Sequence, residues 1–271
     1  MSQPALSAQI AQMEANLGIA LFERGKGGVR LTRAGDALVP KVREILSQAE
    51  ELSQVARSFS APLTGPLRLG VIPTVGPYLL PTALPAIHEA YPDLQLFLRE
   101  DLTDRLVTMI SAGQLDLLLL AIDVDLAGLE SHSLFSDPFH LALGAADPLA
   151  ERGEVELTDL DGREVLLLDE GHCLREQTAT LCEAAGGSEL SGYRATSLGT
   201  ITQMVAGGLG LTLLPELAIA REAAAARGLV TVPFDAEGPA RRIGLAWRPS
   251  SERADEFRAL GAIVAQAYAR S

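Results

Sequence analysis

The sequence predicts an α/β protein of more than one compact unit, in which a helix, a hairpin and a long helix precede a larger sheet covered by helices. Three observations carry that expectation. From residue 67 onward, short apolar runs alternate with helical segments, the pattern of a parallel sheet between helices. Ahead of it, a helical face, a glycine-centred hairpin and a long helix follow in order, ended by Pro62, Gly65 and Pro66. Finally, 271 residues, 48% of them hydrophobic, are enough to bury a real core and too many for one modal domain.

Each element has its own signal. Leu6, Ile10, Met13 and Leu17 recur at helical spacing through residues 2–17, where Ser2 can cap the helix and Pro4 is tolerated in its first turn. Residues 21–32 read as two strands joined by the Gly25–Gly28 turn, and Arg33 to about Phe59 as a long helix. The later apolar runs are Leu67–Ile72, Leu94–Leu98, Leu115–Ile122, Phe139–Gly144, Glu164–Leu168, Leu211–Leu214 and Ile243–Trp247. Helices are expected at Pro77–Tyr91, Asp104–Ala112, His172–Ala185, Leu198–Ala206 and Arg253–Ala269.

The formal charge of −13 counts against a nucleic-acid partner for the chain as a whole, because phosphate contacts need Lys and Arg. The average hides an asymmetry. Residues 1–60 carry seven basic and six acidic side chains, while the remainder carries 15 and 29, so only the N-terminal segment can face DNA. No long apolar stretch or secretory signal is visible, so the expected location is the cytoplasm, with no membrane partner. Two cysteines in a long cytosolic chain argue for reactive rather than structural sulfur.

The segment SQPALSAQIAQMEANLGIALFER followed by LTRAGDAL resembles the winged helix-turn-helix module of LysR-type transcription regulators, read from the recognition helix onward. Taken alone, residues 2–17 are equally an amphipathic helix and the basic run a solvated face; the continuous match through LTRAG favours the regulator. The resemblance implies that Gln3, Pro4, Ser7 and Gln9 lie near the DNA, with Arg24, Lys26 and Arg30 on the wing side. In that family a first helix and most of a second precede this point. The module therefore reads as partial, by a late start or a truncation, and the apolar stripe of residues 6–17 is expected to lie exposed.

Chemistry concentrates in DEGHCLREQTATLC, residues 169–182. Cys173 follows His172, precedes Arg175 and sits near an expected helix N-terminus; a neighbouring cation and that terminus both favour thiolate, while Asp169 and Glu170 oppose it. Nine residues of helix separate Cys173 from Cys182, about 900° of rotation and a rise of roughly 13.5 Å. A disulfide needs Cα atoms within about 7 Å, so bridging the pair requires the helix to unwind or shift. Two plainer readings stay open: either cysteine can be a small buried apolar residue, and His172 an orienting or loop histidine. The pair lacks the short spacings of zinc ligands, so neither metal nor other cofactor is expected.

GHCLREQ, Cys182, YRATSLGTITQMVAGGLGLTLLP and IPTVGPYLLP closely resemble the sensor domain of the hydrogen-peroxide-sensing members of the same family, over essentially the whole chain. That resemblance implies a two-lobed, periplasmic-binding-protein-like (Rossmann-like) sensor at 62–271, with lobe I about 62–136 and 242–271 and lobe II about 137–241. Before it come a partial DNA-binding module at 1–33 and a dimerising linker helix at 34–61. It also implies that Cys173 is peroxidatic and Cys182 resolving, joined in a disulfide on oxidation, and that Thr74, Thr103, His172 and Arg242 surround the peroxide. Without it, Thr74 and Thr103 are plain caps or turn residues. The partners implied are promoter DNA, hydrogen peroxide as signal, a second copy in a dimer or tetramer, RNA polymerase and a thiol reductant. Two competing functions remain: a thiol peroxidase, disfavoured by the preceding DNA-binding remnant, and a regulator that closes its lobes on a non-redox metabolite.

Overall fold

In a computed structural model of the chain, residues 3–25, 28–58, 62–236 and 238–270 are described, and the chain divides into two compact units, 1–53 and 54–271. Ser2 and Lys26 lie outside the described residues. The first unit holds α1 (Gln3–Leu17), the antiparallel strands β1 (Phe22–Gly25) and β2 (Gly28–Leu31), and most of α2 (Arg33–Ser58). The Glu14 carboxylate accepts the backbone N–H groups of Leu21 (2.6 Å) and Phe22 (3.0 Å), which clamps α1 to the hairpin and holds its pKa below the usual carboxylate range. Thr32 caps α2: its hydroxyl accepts from Gly35 N–H at 3.1 Å while donating to the Ala20 carbonyl at 2.7 Å. Leu6, Met13 and Leu17 are exposed and Ile10 half-buried, so the apolar stripe of α1 is uncovered.

The second unit runs β3 (Gly65–Val71), α3 (Gly76–Ala90), β4 (Leu94–Glu100), α4 (Thr103–Ser111), β5 (Leu117–Ala121) and β6 (Glu130–Gly144). It continues with β7 (Glu164–Val165), α5 (Cys173–Ala184), β8 (Ser188–Glu189), α6 (Leu198–Ala206), β9 (Thr212–Pro215), α7 (Glu216–Ala225), β10 (Leu229–Pro233), β11 (Ala240–Trp247) and α8 (Ala254–Tyr268). The main sheet has the order β10-β6-β11-β5-β3-β4, with β9 also paired to β6. β5 lies between two neighbours and is buried along its whole length, which is why it reads as an unbroken leucine run.

The expectation of a parallel sheet needs correction. Within the main sheet β3 pairs in parallel with β4 and β5, but β11, β6, β9 and β10 join it antiparallel. The reason is connectivity. The first part of β6 pairs with β11 in lobe I, and the same strand continues into lobe II, where residues 139–144 pair with β9 and β10; the chain returns through Pro239 into β11. Two crossing strands that leave and re-enter a lobe must run in opposite directions.

Two hydrophobic cores result, one on each side of this crossing. Val71, Leu106, Leu118, Ile243 and Phe257 centre the first; Leu141, Val165, Val205, Leu213 and Leu214 centre the second. Each fully buried leucine contributes about 1.5–3 kcal/mol. β10, the first half of β6 and α7 were not expected from the sequence. The first two are short or half-polar, and α7 is alanine-rich with little apolar stripe to betray it.

Candidate functional site

α5 organises the site. Gly171, at φ +89°, turns the chain into it, and a Cβ there would stand 2.9 Å from Leu102 Cδ1, so the helix start approaches the loop before α4 more closely than a side chain allows. His172 is the N-cap, extended at φ −84° and ψ 122°, and Cys173 is the first helical residue, in the turn whose backbone N–H groups have no partner within the helix. Cys182 lies two and a half turns further on. Both cysteines are free and buried, yet Cys173 belongs to the lobe I core and Cys182 to that of lobe II.

The electrostatics differ from the sequence argument. Burial pushes the pKa of His172 below its ordinary value, with Asp169 pulling the other way, so the imidazole is not a cation beside Cys173 at neutral pH. Arg175 is taken up by Glu189, to which it donates twice (3.0 and 2.9 Å), and by the Leu168 carbonyl at 3.0 Å. Arg194 pairs with Asp169 (3.6 Å) and Glu170 (3.0 Å), which blunts the two acids expected to oppose the thiolate. At the other end, burial pushes the Cys182 thiol up, with Glu183 and Glu189 adding to it. Its Sγ stands only 2.8 Å from where a Cβ at Gly187 would lie.

Thr74 and His172 line one cavity of about 600 Å³ between the lobes. Tyr78 and Glu222 also line it and are bonded to each other: the phenol of α3 donates to the buried Glu222 carboxylate of α7 at 2.7 Å, and Thr202 donates to the second oxygen at 3.0 Å. Burial and that bond raise the Tyr78 pKa well above its usual value, keeping the phenol protonated. Thr103 is the first residue of α4, adjoining the cavity-lining Leu102; it is buried, and its hydroxyl has no hydrogen-bond partner among the described residues.

The arginine expectation needs correction. Arg242 faces solvent, its side chain 63% exposed and paired with Asp123 at 2.6 Å. Its neighbour Arg241 is the residue that turns inward: Nη1 donates to Thr74 Oγ1 and Nη2 to the Thr74 carbonyl, both at 3.0 Å, while Nε and Nη2 hold Asp137 at 2.9 and 2.8 Å. The cause is strand alternation, because residue 241 shares its face with Ile243 and residue 242 does not. The all-apolar run from Ile243 onward hides that period in the sequence, and Asp137 has no signal of its own.

In the first unit, Ser7 and Gln9 on α1 and Arg30 on β2 are exposed. Gln3 and Pro4 open α1 and Arg24 lies in β1. Among the described residues, no helix is long and apolar enough to cross a membrane.

Comparison with known families and structures gives a consistent picture. The LysR substrate binding domain matches residues 60–269, and the bacterial regulatory helix-turn-helix protein, lysR family, matches residues 1–36. The DNA-binding transcriptional dual regulator OxyR of Escherichia coli K12 is 39% identical over 264 residues, covering 97% of this chain and 86% of that protein. A hydrogen-peroxide-bound cysteine variant of OxyR from Corynebacterium glutamicum is 37% identical with a TM-score of 0.77, covering 100% of this chain and 85% of that one. A full-length cysteine-to-aspartate variant of OxyR from Pseudomonas aeruginosa is 33% identical with a TM-score of 0.79, covering 97% and 86%.

Proposed function

This chain belongs to the OxyR branch of the LysR family of DNA-binding transcription regulators, and we propose that it senses hydrogen peroxide through reversible oxidation of Cys173 and Cys182. In the first step the Cys173 thiolate attacks one peroxide oxygen. The O–O bond breaks, the far oxygen leaves as hydroxide and takes a proton from solvent, and Cys173 becomes a sulfenic acid. The Cys182 thiolate then attacks that sulfur, the S–O bond breaks, and a disulfide and a second water result. Two thiols lose two electrons and one peroxide gains them. A dithiol reductant resets the pair.

The observation that carries this reading is that one helix holds both cysteines, each in the core of a different lobe. Within α5 their Cα atoms are separated by a rise of roughly 13.5 Å and face opposite sides. Disulfide geometry needs about 7 Å or less. Oxidation therefore cannot be accommodated inside the helix; α5 must unwind, and Cys182 must leave the lobe II core. Such a two-state element turns one local bond into a repacking that oligomeric contacts and DNA-reading modules can follow.

Thr74, Thr103 and His172 are proposed to hold the peroxide, with Arg241 in the place first given to Arg242. Gln3, Pro4, Ser7, Gln9, Arg24, Lys26 and Arg30 are proposed to face promoter DNA, in a cytoplasmic dimer or tetramer that engages RNA polymerase. Substoichiometric peroxide added to the reduced protein tests the central claim. Two thiols lost per peroxide, with a Cys173–Cys182 linkage on peptide mapping, are expected; thiols that survive the treatment overturn it. The 600 Å³ cleft favours one second reading, a non-redox effector, which predicts thermal stabilisation by a small ligand that persists in a Cys173→Ser variant.

A further inference from the structure

The buried ion pair at the crossing of the two lobes has a geometry that bears on the peroxide itself. Arg241 and Asp137 are fully buried, on β11 and β6 respectively, where these strands pass between the lobes. Asp137 uses one oxygen for Arg241 and the other to accept the backbone N–H of Leu217 at the start of α7, at 2.9 Å. The carboxylate is thereby fixed in orientation, and it fixes the guanidinium fork. What the fork does next follows from proton counting. A guanidinium has donors and no acceptor, so in its 3.0 Å contact with Arg241 Nη1 the Thr74 oxygen can only accept. Thr74 has one hydroxyl proton, and that proton must point away from Arg241. No acceptor within the protein takes it among the described residues, and Thr74 lines the cavity it shares with His172, the neighbour of Cys173.

We infer that Asp137 is a positioning residue for peroxide reduction: by holding Arg241 it commits the Thr74 hydroxyl to donate into the cleft. The inference rests on the reading that Cys173 reduces peroxide. When the Cys173 sulfur attacks the near oxygen and the O–O bond breaks, the far oxygen departs with the bonding pair. A donor already aimed at that oxygen stabilises the developing hydroxide without reorienting during the step. A proton acceptor at the same place would oppose it. Arg241 withdraws electron density from the Thr74 oxygen as well, which strengthens the donor. A purely structural role for the pair, pinning β6 to β11 and capping α7, makes a different prediction, because it gives no reason for one electrophile to be affected more than another.

The experiment compares two reactions of the same sulfur in the full chain: oxidation by hydrogen peroxide and alkylation by iodoacetamide, which needs no hydrogen-bond donor for its leaving group to the same degree. Asp137→Asn is expected to slow peroxide oxidation about ten- to hundredfold while alkylation stays within about twofold. Adding Thr74→Val to Asp137→Asn is expected to slow the peroxide step no further than Thr74→Val alone, because the two act through one hydroxyl. Should Asp137→Asn fail to fold, Asp137→Leu with Arg241→Met replaces the pair by an apolar one, a change buried ion pairs commonly tolerate, and the same selective loss is expected. Equal losses in both reactions, additive losses in the double variant, or an unchanged peroxide rate overturn the inference. A parent Cys173 inert to peroxide overturns the underlying reading, and is told apart by failing before any substitution is made.

Discussion

The two ends of α5 stand in different surroundings, although each carries one buried cysteine. At the N-terminal end, a left-handed glycine and an extended histidine cap stand beside a solvent-connected cavity that Thr74 also lines, and Cys173 packs on lobe I. At the C-terminal end Cys182 is 2% exposed, wedged over Gly187 among lobe II side chains, with its thiol pKa raised by burial and two carboxylates. Both sulfurs are buried, but Cys173 follows a residue that lines the cavity and Cys182 does not. What the difference teaches is that, on the mechanism proposed above, resolution is gated by the fold: Cys182 would become a nucleophile only after the helix that buries it lets go.

The largest test of that contrast removes each sulfur in turn. Cys173→Ser should reduce peroxide reactivity to background, whereas Cys182→Ser should still react once and stop with one oxygen added, as intact mass would show; equal behaviour of the two variants breaks the comparison. Next in size is Gly187→Ala, whose new methyl would meet Cys182 Sγ at 2.8 Å and the Leu160 carbonyl at 3.0 Å. Denaturation of the reduced form should register a loss of about 1–3 kcal/mol. The disulfide form, from which Cys182 has withdrawn, should lose much less, and an equal cost in both forms would place Cys182 in the same pocket before and after oxidation.

The two ends should also fail at opposite extremes of pH. His172 has a pKa depressed below 6.5, so between its folded and unfolded values the unfolded chain binds more protons. Its contribution is complete above 6.5 and is lost as pH falls through the folded value, joined by His140, which is also depressed by burial. The Cys182 pKa is raised above 9.0, so its contribution is complete below 9.0 and lost as pH rises through the folded value. Urea midpoints measured from acid to alkaline pH check this: His172→Gln should flatten the acid limb and Cys182→Ser the alkaline one. Smallest of all is Arg242→Ala, which removes one exposed ion pair and should cost no more than about 1 kcal/mol, with peroxide reactivity unchanged. A large loss would return Arg242 to the site.

Much of this is legible in the sequence. Helical spacing placed α1, α3 and α5 to within a residue or two at each end, and LTRAG and GHCLREQ pointed to the family. What escaped was whatever depends on a partner distant in sequence. The antiparallel half of the sheet follows from a chain that crosses between lobes twice, and no local periodicity reports a crossing. In the tandem Arg241–Arg242 the resemblance points to Arg242, and only the orientation of β11 shows that its neighbour is the one that turns inward. Asp137 has no sequence signature, because one acid among many is not distinguished until its burial is known.

By itself, then, the sequence determined the spacing of the two cysteines and its mechanical consequence, since nine residues of helix impose their separation whatever surrounds them. Tertiary structure alone decided that the two sulfurs are sealed in different cores, that burial pushes the His172 pKa down, and that Arg241 rather than its neighbour reaches Thr74. The physical reason is the same in each case. Helical rise and rotation are local properties of the backbone, whereas burial, desolvation and hydrogen-bond polarity are set by atoms that arrive from elsewhere in the chain.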